Sequence, residues 1–213
     1  MSTATLRERG KARRHADIVA AAATLWRDRG FDNVSLAQIA AAAEVAPQTV
    51  YNLIGGPDAI AFAVIRRLLD QLDLALAETP ASGVELAIEA ARLCSELYIS
   101  DAALFRQLQV RIPRMLFQGV HLGRDVAQIV VAAVADAQRA GQVSSDVDPE
   151  MLGRAIYTAY IGALYEWAYG DTDDATFLLS GEIAVLAPVA ACATDNARAT
   201  PTSRLLELLA FRD

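Results

Sequence analysis

The chain has little of what most enzymes and most secreted domains are built on. Among its 213 residues are two cysteines and two histidines. Cys94 and Cys192 stand far apart, without metal-ligand spacing, in apolar helical surroundings, and fit small buried hydrophobes better than a disulfide or a reactive thiol. Two histidines leave little material for acid–base chemistry, and there is no nucleophile elbow, phosphate-binding glycine loop or zinc-ligand cluster. His121 and Asp125, at an (i, i+4) spacing, are two ligands and fall short of a metal site. No enzyme activity, cofactor or metal is expected. Alternating β-branched and polar stretches bounded by turns are also missing, so strands are not expected. No run of about 18 uncharged apolar residues is present, and no membrane span is expected. The N-terminus is basic but lacks the apolar core of a signal peptide, which predicts a cytoplasmic protein.

The residues that are abundant favour helix. The chain is 54% hydrophobic and 21% charged, enough apolar side chain to bury a full core. Alanine runs at 20–23 and 40–43 lose no side-chain entropy in a helix. The expected fold class is all-α.

The net charge of −7 argues at first against a nucleic-acid partner, but its distribution does not. Residues 1–54 carry seven basic groups and five acids, and the remainder carries 12 basic and 21 acidic residues. Five of the basic groups (Arg7, Arg9, Lys11, Arg13 and Arg14) form an N-terminal cluster on an otherwise acidic chain. Such a run is either a solvated tail or a DNA-binding arm, and the adjoining residues decide between the two.

Those residues form a three-helix pattern. From Ala16, the apolar residues Ile18, Ala22, Leu25 and Trp26 recur at helical spacing until Gly30, after which Phe31 packs back and Asp32-Asn33 turn the chain. Ser35 is an N-cap for a short second helix, with Gln38 completing a capping box. After a turn around Ala43-Glu44-Val45, Pro47 sits where a first helical residue belongs. The third helix places Val50 inward and leaves Gln48, Thr49, Tyr51 and Asn52 mostly outward, with a core position as the other reading for Tyr51. Two short helices joined by a tight turn behind a supporting helix make a helix-turn-helix.

The stretches Ile18-Val19-Ala20-Ala21-Ala22, Arg29-Gly30-Phe31-Asp32-Asn33-Val34-Ser35-Leu36, Gln38-Ile39-Ala40 and Val45-Ala46-Pro47-Gln48-Thr49-Val50-Tyr51 fall in order at fixed spacing. Together they resemble the N-terminal signature of the TetR/AcrR family of transcriptional regulators over residues 14–65. The resemblance implies a DNA-binding domain over 1–56 and a helical ligand-sensing and dimerisation domain over 57–213. By the same resemblance Thr49 and Tyr51 contact phosphates, Ser35 caps the second helix and touches a phosphate, and Pro47, Gln48 and Asn52 face base edges. Their chemistry agrees: Gln and Asn pair with adenine N6 and N7, and Pro47 suits a thymine methyl. Three departures bear on this reading. The family's turn glycine is Glu44 here, the lysine that opens its fourth helix is replaced by Pro57, and the recognition helix holds no Arg or Lys. The cluster from Arg7 to Arg14 is then expected to supply the missing charge as an arm, reaching toward the minor groove.

The body reads as a series of helices. Pro57 opens a long one, and others are expected at about 84–99, 101–110 and 126–141, with a break at Ile112-Pro113. Asp148-Pro149-Glu150 opens an apolar helix to about Tyr169, and another comes at 174–193, kinked or broken at Pro188. Residues 195–203 look like a linker before an amphipathic end that includes Leu206, Leu209 and Phe211. The last two long helices are apolar nearly all round, which means burial. The resemblance makes that burial a homodimer interface, presenting two recognition helices to a near-palindromic operator; an intramolecular core is the alternative. The partners expected are double-stranded operator DNA and a small-molecule effector that releases a repressor from it. Candidate effector contacts are Tyr98, Phe105, Arg111, Met115, Phe117, His121, Tyr157 and Tyr160, each also readable as core or surface. Arg111, Arg114 and His121 flank the helix break and suit either an anionic ligand or plain solvation. The alternative function is a ligand-binding protein of this fold with weakened or lost DNA recognition.

Overall fold

A computed structural model describes residues 5–117, 119 and 122–210. Among them are eleven α-helices, one 3-10 turn at Phe31–Asn33 and no strand. They fall into two compact units, one running to Leu68 and taking in Ala102–Gly123, the other comprising Leu69–Asp101 and Arg124 onward. The first unit is thus wider than the 56-residue head marked by the sequence pattern.

The first unit contains α1 (Leu6–Arg29), α2 (Leu36–Ala42), α3 (Pro47–Leu53), the start of α4 (Pro57–Glu78), α6 (Ala102–Gln109) and α7 (Ile112–Phe117). The α1 helix starts ten residues before the apolar periodicity does. Thr5 accepts the Glu8 N–H, and Glu8 accepts the Thr5 N–H at 2.7 Å, a capping box that starts the helix inside the basic cluster. The expected arm is therefore corrected to the exposed first turns of α1. Gly30, at φ 85°, ends the helix as expected, its N–H donating to the Trp26 carbonyl. Ile18, Ala22, Trp26, Ile39 and Val50 are buried, and α1 packs against α2, α3 and α6. Ile112-Pro113 opens α7 instead of only breaking the chain, since proline is tolerated in a helix's first turn.

The second unit pairs α5 (Gly83–Ile99) with α8 (Gln128–Arg139) and α10 (Asp174–Cys192), and α9 (Pro149–Tyr169) with the same two. Asp148 caps α9 ahead of Pro149, and Gly170, in the left-handed region, ends it. Trp167 is fully buried, stacks on Phe177 at 5.0 Å and donates its indole N–H to Asp174 at 2.7 Å. Of the two readings of Pro188, a kink or a break, the break is removed: α10 runs through Pro188 as one helix. By length and a mean hydropathy of 1.8, α10 is also apolar enough to cross a membrane, a test that a packed core helix passes as well, and Asp174 and Glu182 interrupt its apolar run. Within the unit α10 packs against α5, α9 and α11, and Glu182 forms an ion pair with Arg204. The supposed linker is likewise shorter than expected: α11 (Ala199–Leu209) begins inside it, with Pro201 buried in its first turn. Phe211 lies outside the described residues.

At Gly153, α9 lies close against α8. A Cβ there would stand 2.6 Å from the Val131 Cα, a backbone atom with nowhere to move. Alanine in a helix is otherwise favoured over glycine by about 1 kcal/mol. Gly153→Ala is nonetheless expected to destabilise the chain by about 1–3 kcal/mol, the cost of overpacking. Chemical or thermal unfolding of the two proteins measures the difference, and equal or greater stability of the variant would contradict the close packing.

Candidate functional site

The exposed surface of α3 is set by the turn that precedes it. Ser35 accepts the Gln38 N–H at 3.3 Å while Gln38 Oε1 accepts the Ser35 N–H at 2.8 Å, so the expected capping box forms. At the end of α2, Glu44 takes φ 55°, the left-handed conformation that glycine adopts without steric cost. Its side chain is exposed. The Val45 N–H then returns to the Ala40 carbonyl at 2.9 Å, and Pro47 opens α3 at its first position. Val50 points inward with no exposure, which turns Pro47, Gln48, Tyr51 and Asn52 outward and leaves Thr49 half-buried.

Tyr51 is 62% exposed, which removes the core reading of this ring. Gln48 Nε2 donates to Asn52 Oδ1 at 2.9 Å, one helical turn apart, so the two amides form a connected pair. Ser35 is exposed at the start of α2. The structure thus brings five of the six sequence-predicted contact residues to solvent and holds the sixth partly covered.

On α1, Arg7, Lys11 and Arg14 succeed one another at (i, i+4) and (i, i+7) and share an exposed side of the helix. His15, half-buried beside them, is held below its ordinary pKa by burial, then by the nearby positive charges of Arg66 and Lys11.

The turn between α1 and α2 is braced by Gln107, which sequence reasoning did not single out, and by Arg111, which it offered to an effector. Gln107 on α6 donates to the Trp26 carbonyl at 3.1 Å and accepts the Phe31 N–H at 2.8 Å. Arg111 lies 4.7 Å over the Phe31 ring, forms an ion pair with Asp32 and donates to the Gln107 carbonyl at 2.8 Å. Phe31 in turn packs 4.7 Å from Trp26. Arg111 is thus a brace of the head. Phe105 and Met115 are buried in the same unit. The candidate effector contacts divide between the units: Phe105, Arg111 and Met115 belong to the first, and Tyr98, Tyr157 and Tyr160 to the second. The Phe117 side chain and His121 lie outside the described residues.

Of the eight, Tyr157 and Tyr160 line a narrow cavity in the second unit, with about 40 Å³ of free volume. Its other walls are Leu72 of α4, Ala90, Ala91 and Cys94 of α5, Val126, Ile129 and Val130 at the start of α8, Ile156 of α9 and Val185 of α10. Tyr98 instead packs beside Trp167, at 6.3 Å. Burial pushes the Cys94 thiol up to about 11 and the Tyr157 hydroxyl up to about 12, and raises Tyr160 well above the ordinary phenol range. The Tyr160 hydroxyl lies 3.1 Å from Ser95 Oγ, which also donates to the Ala91 carbonyl at 2.9 Å. Alongside the cavity, Arg124 holds Asp73 of α4 through two hydrogen bonds of 2.6 and 2.9 Å, and Asp125 accepts from Arg154 of α9 at 2.6 Å. Both carboxyls are held below the usual aspartate range, in each case chiefly by the arginine hydrogen bond. A wider cleft of about 170 Å³ lies among α5, α10 and α11, where Arg204 pairs with Glu85 and Glu182.

Residues 18–53 match the family described as bacterial regulatory proteins, tetR family. No curated protein matches the chain. Among solved structures it is similar to SmeT, the repressor of the Stenotrophomonas maltophilia multidrug efflux pump SmeDEF. The identity is 19%, over 86% of this chain and 92% of that one, with a TM-score of 0.61. It is also similar to TylP, a tetR regulator from Streptomyces fradiae, at 17% identity over 93% and 96% of the two chains with a TM-score of 0.62. A third is a gamma-butyrolactone receptor (ArpA like protein), at 19% identity over 93% and 97% with a TM-score of 0.58.

The buried Ser95–Tyr160 contact supports a thermodynamic cycle. Ser95→Ala leaves the buried Tyr160 hydroxyl with only the weak Cys94 thiol as a partner and is expected to cost about 1–3 kcal/mol. Adding Tyr160→Phe to Ser95→Ala removes that poorly satisfied group and should recover part of the loss. Strictly additive losses in denaturant unfolding would mean that the two hydroxyls do not interact.

Proposed function

We propose that this chain, whose residues 18–53 match the tetR family of bacterial regulatory proteins, is a ligand-responsive repressor that binds a near-palindromic operator as a homodimer. The observation that carries this reading is the outward presentation of Pro47, Gln48, Tyr51 and Asn52 on a helix whose Val50 is wholly buried. A side chain must stand free of its own fold to meet a groove. In this reading Gln48 and Asn52 meet base edges, Thr49, Tyr51 and Ser35 meet phosphates, and the exposed basic side of α1 adds charge that α3 lacks.

The dimer is supported by the outer side of α9. Met151, Ala155, Ala159, Gly162 and Tyr169 are exposed along one face of that helix, with Thr158 and Glu166 among them, a strip of mostly small and apolar side chains suited to a second copy. Two heads related by a two-fold axis would enter successive major grooves about 34–36 Å apart. The ligand response is supported by the cavity below the α4 helix, and by likeness to a multidrug-efflux repressor and a gamma-butyrolactone receptor. Binding of the effector would favour a dimer with wrongly spaced heads, through a coupling of about 1–3 kcal/mol. Repression and a cytoplasmic location are part of the same proposal.

Binding of the purified protein to DNA flanking its own gene, against scrambled DNA at physiological salt, tests the regulator reading. The expected preference is about 10³-fold or more. Equal weak binding to both, together with no enrichment from random DNA, would instead favour a ligand-binding protein that has lost operator recognition. Pro57→Lys restores a cation at the opening of α4 and is expected to raise affinity for all DNA and steepen the salt dependence of log K by about 0.9. An unchanged slope would place position 57 away from the phosphates.

A further inference from the structure

The cavity wall in the second unit carries no charged side chain and is almost wholly apolar, and the residues on it that bear a polar side-chain atom are Cys94, Tyr157 and Tyr160. Tyr160 is engaged with Ser95, whereas the Tyr157 hydroxyl has no hydrogen-bond partner among the described residues. Burial keeps the thiol and both phenols neutral near pH 7. A carboxylate or an ammonium group entering such a wall would lose its hydration and find no counter-charge. The cations that the sequence offered to an anionic ligand, Arg111 and Arg114, belong to the other unit, and Arg111 is already paired with Asp32. The free volume of about 40 Å³ is room for a few water-sized groups, well short of the roughly 300 Å³ at the small end of ligand pockets. An occupant therefore enters only if a wall moves. The wall residues Val126, Ile129 and Val130 come directly after Arg124 and Asp125, which tie the segment before α8 to Asp73 of α4 and Arg154 of α9.

We propose that this cavity receives a neutral, compact, mostly apolar molecule that offers one oxygen to the Tyr157 hydroxyl, and that it opens by parting the Arg124–Asp73 pair. This deepens, and rests on, the reading of the helical body as a small-molecule sensor. Neutrality is dictated by the wall, the single polar contact by the one unengaged phenol, and the route of opening by the side that exposed ion pairs hold.

Benzyl alcohol, benzoate, benzylammonium and toluene share one ring and differ in charge and hydrogen bonding, so they serve as probes. Each is titrated into the full chain without DNA and monitored by thermal shift and tryptophan fluorescence. Trp167 stacks on Phe177, whose ring is 6.1 Å from that of Tyr160, so the cavity has a nearby reporter. Benzyl alcohol is expected to bind saturably, about tenfold or more tightly than either ion. Its advantage over toluene, about threefold or more, should vanish in Tyr157→Phe while toluene binding stays unchanged. Asp73→Asn, which alters no wall residue, should tighten both neutral probes by about two- to tenfold, because opening no longer breaks the pair. A preference for benzoate or benzylammonium would overturn the neutral class while leaving the body a sensor. Saturable binding to neither the parent nor Asp73→Asn would overturn the cavity as a receptor. Unchanged affinities in Asp73→Asn would overturn the route of opening. Operator binding is measured separately, so failure of DNA recognition leaves these outcomes interpretable, and failure here leaves the operator result standing.

Discussion

A helix of seven residues has almost no stability of its own in water, and α2 and α3 are both that long. Everything the helix-turn-helix presents therefore depends on what holds those two helices, and the centre of that support is Trp26. Its side chain is fully buried on α1, Phe31 packs on it, and the Ile39 and Val50 side chains complete the buried face. The turn at Phe31 is then fastened from 76 residues away by Gln107, which takes the Phe31 N–H and gives a hydrogen bond to the Trp26 carbonyl. Arg111 covers the same ring and pairs with Asp32. The α6 and α7 helices are thus part of the scaffold of the head, although they lie far along the chain. A shift of α6 would reach the turn that opens α2 before it reached any other part of the recognition surface.

Features closed within four or five residues were legible in the sequence. The Ser35–Gln38 box, the Asp148-Pro149 start of α9 and the Gly30 end of α1 are decided by neighbours, and each stands where local chemistry puts it. The start of α1 was equally local, in the Thr5-to-Glu8 box, but the density of positive charge there suggested an arm and hid the cap. Distance along the chain hid the rest. Nothing near Arg111 says that its partners are Asp32 and Phe31, so a helix-break arginine looked available for an anion. The cavity was half visible, through Tyr157 and Tyr160, because aromatic residues draw attention. Its other walls, such as Leu72, Ala91, Val130 and Val185, are indistinguishable by sequence from ordinary core.

The helical state of the basic cluster changes what that cluster can do. An arm that enters the minor groove must be extended and narrow, whereas Arg7 and Arg14 on a helix are held about 10 Å apart by a rise of about 1.5 Å per residue. Side chains at that fixed spacing suit phosphates along a backbone better than base edges in a groove. Under the proposed function this side of α1 contributes affinity without sequence preference. Discrimination then falls to α3, whose polar surface is two amides joined to each other and flanked by Tyr51. With no cation on α3 to seek guanine, the linked amides favour adenine-bearing steps.

The cavity is built asymmetrically, and under the proposed function that asymmetry bears on how so narrow a space would serve a sensor. On one side Gly181 lets α10 approach so closely that a Cβ would lie 3.2 Å from Ser95 Oγ and 3.3 Å from the Tyr160 ring. That wall is dense, hydrogen-bonded and costly to move. On the other side the segment entering α8 is held by arginine–aspartate pairs that face solvent. Exposed pairs contribute little to stability and weaken as salt rises. A ligand's affinity for a cavity that is open only part of the time falls in proportion to the open fraction. Under the proposed function, the strength of those surface pairs would set the concentration at which the protein responds, and substitution at Asp73 or Arg124 would retune it without disturbing the packed wall.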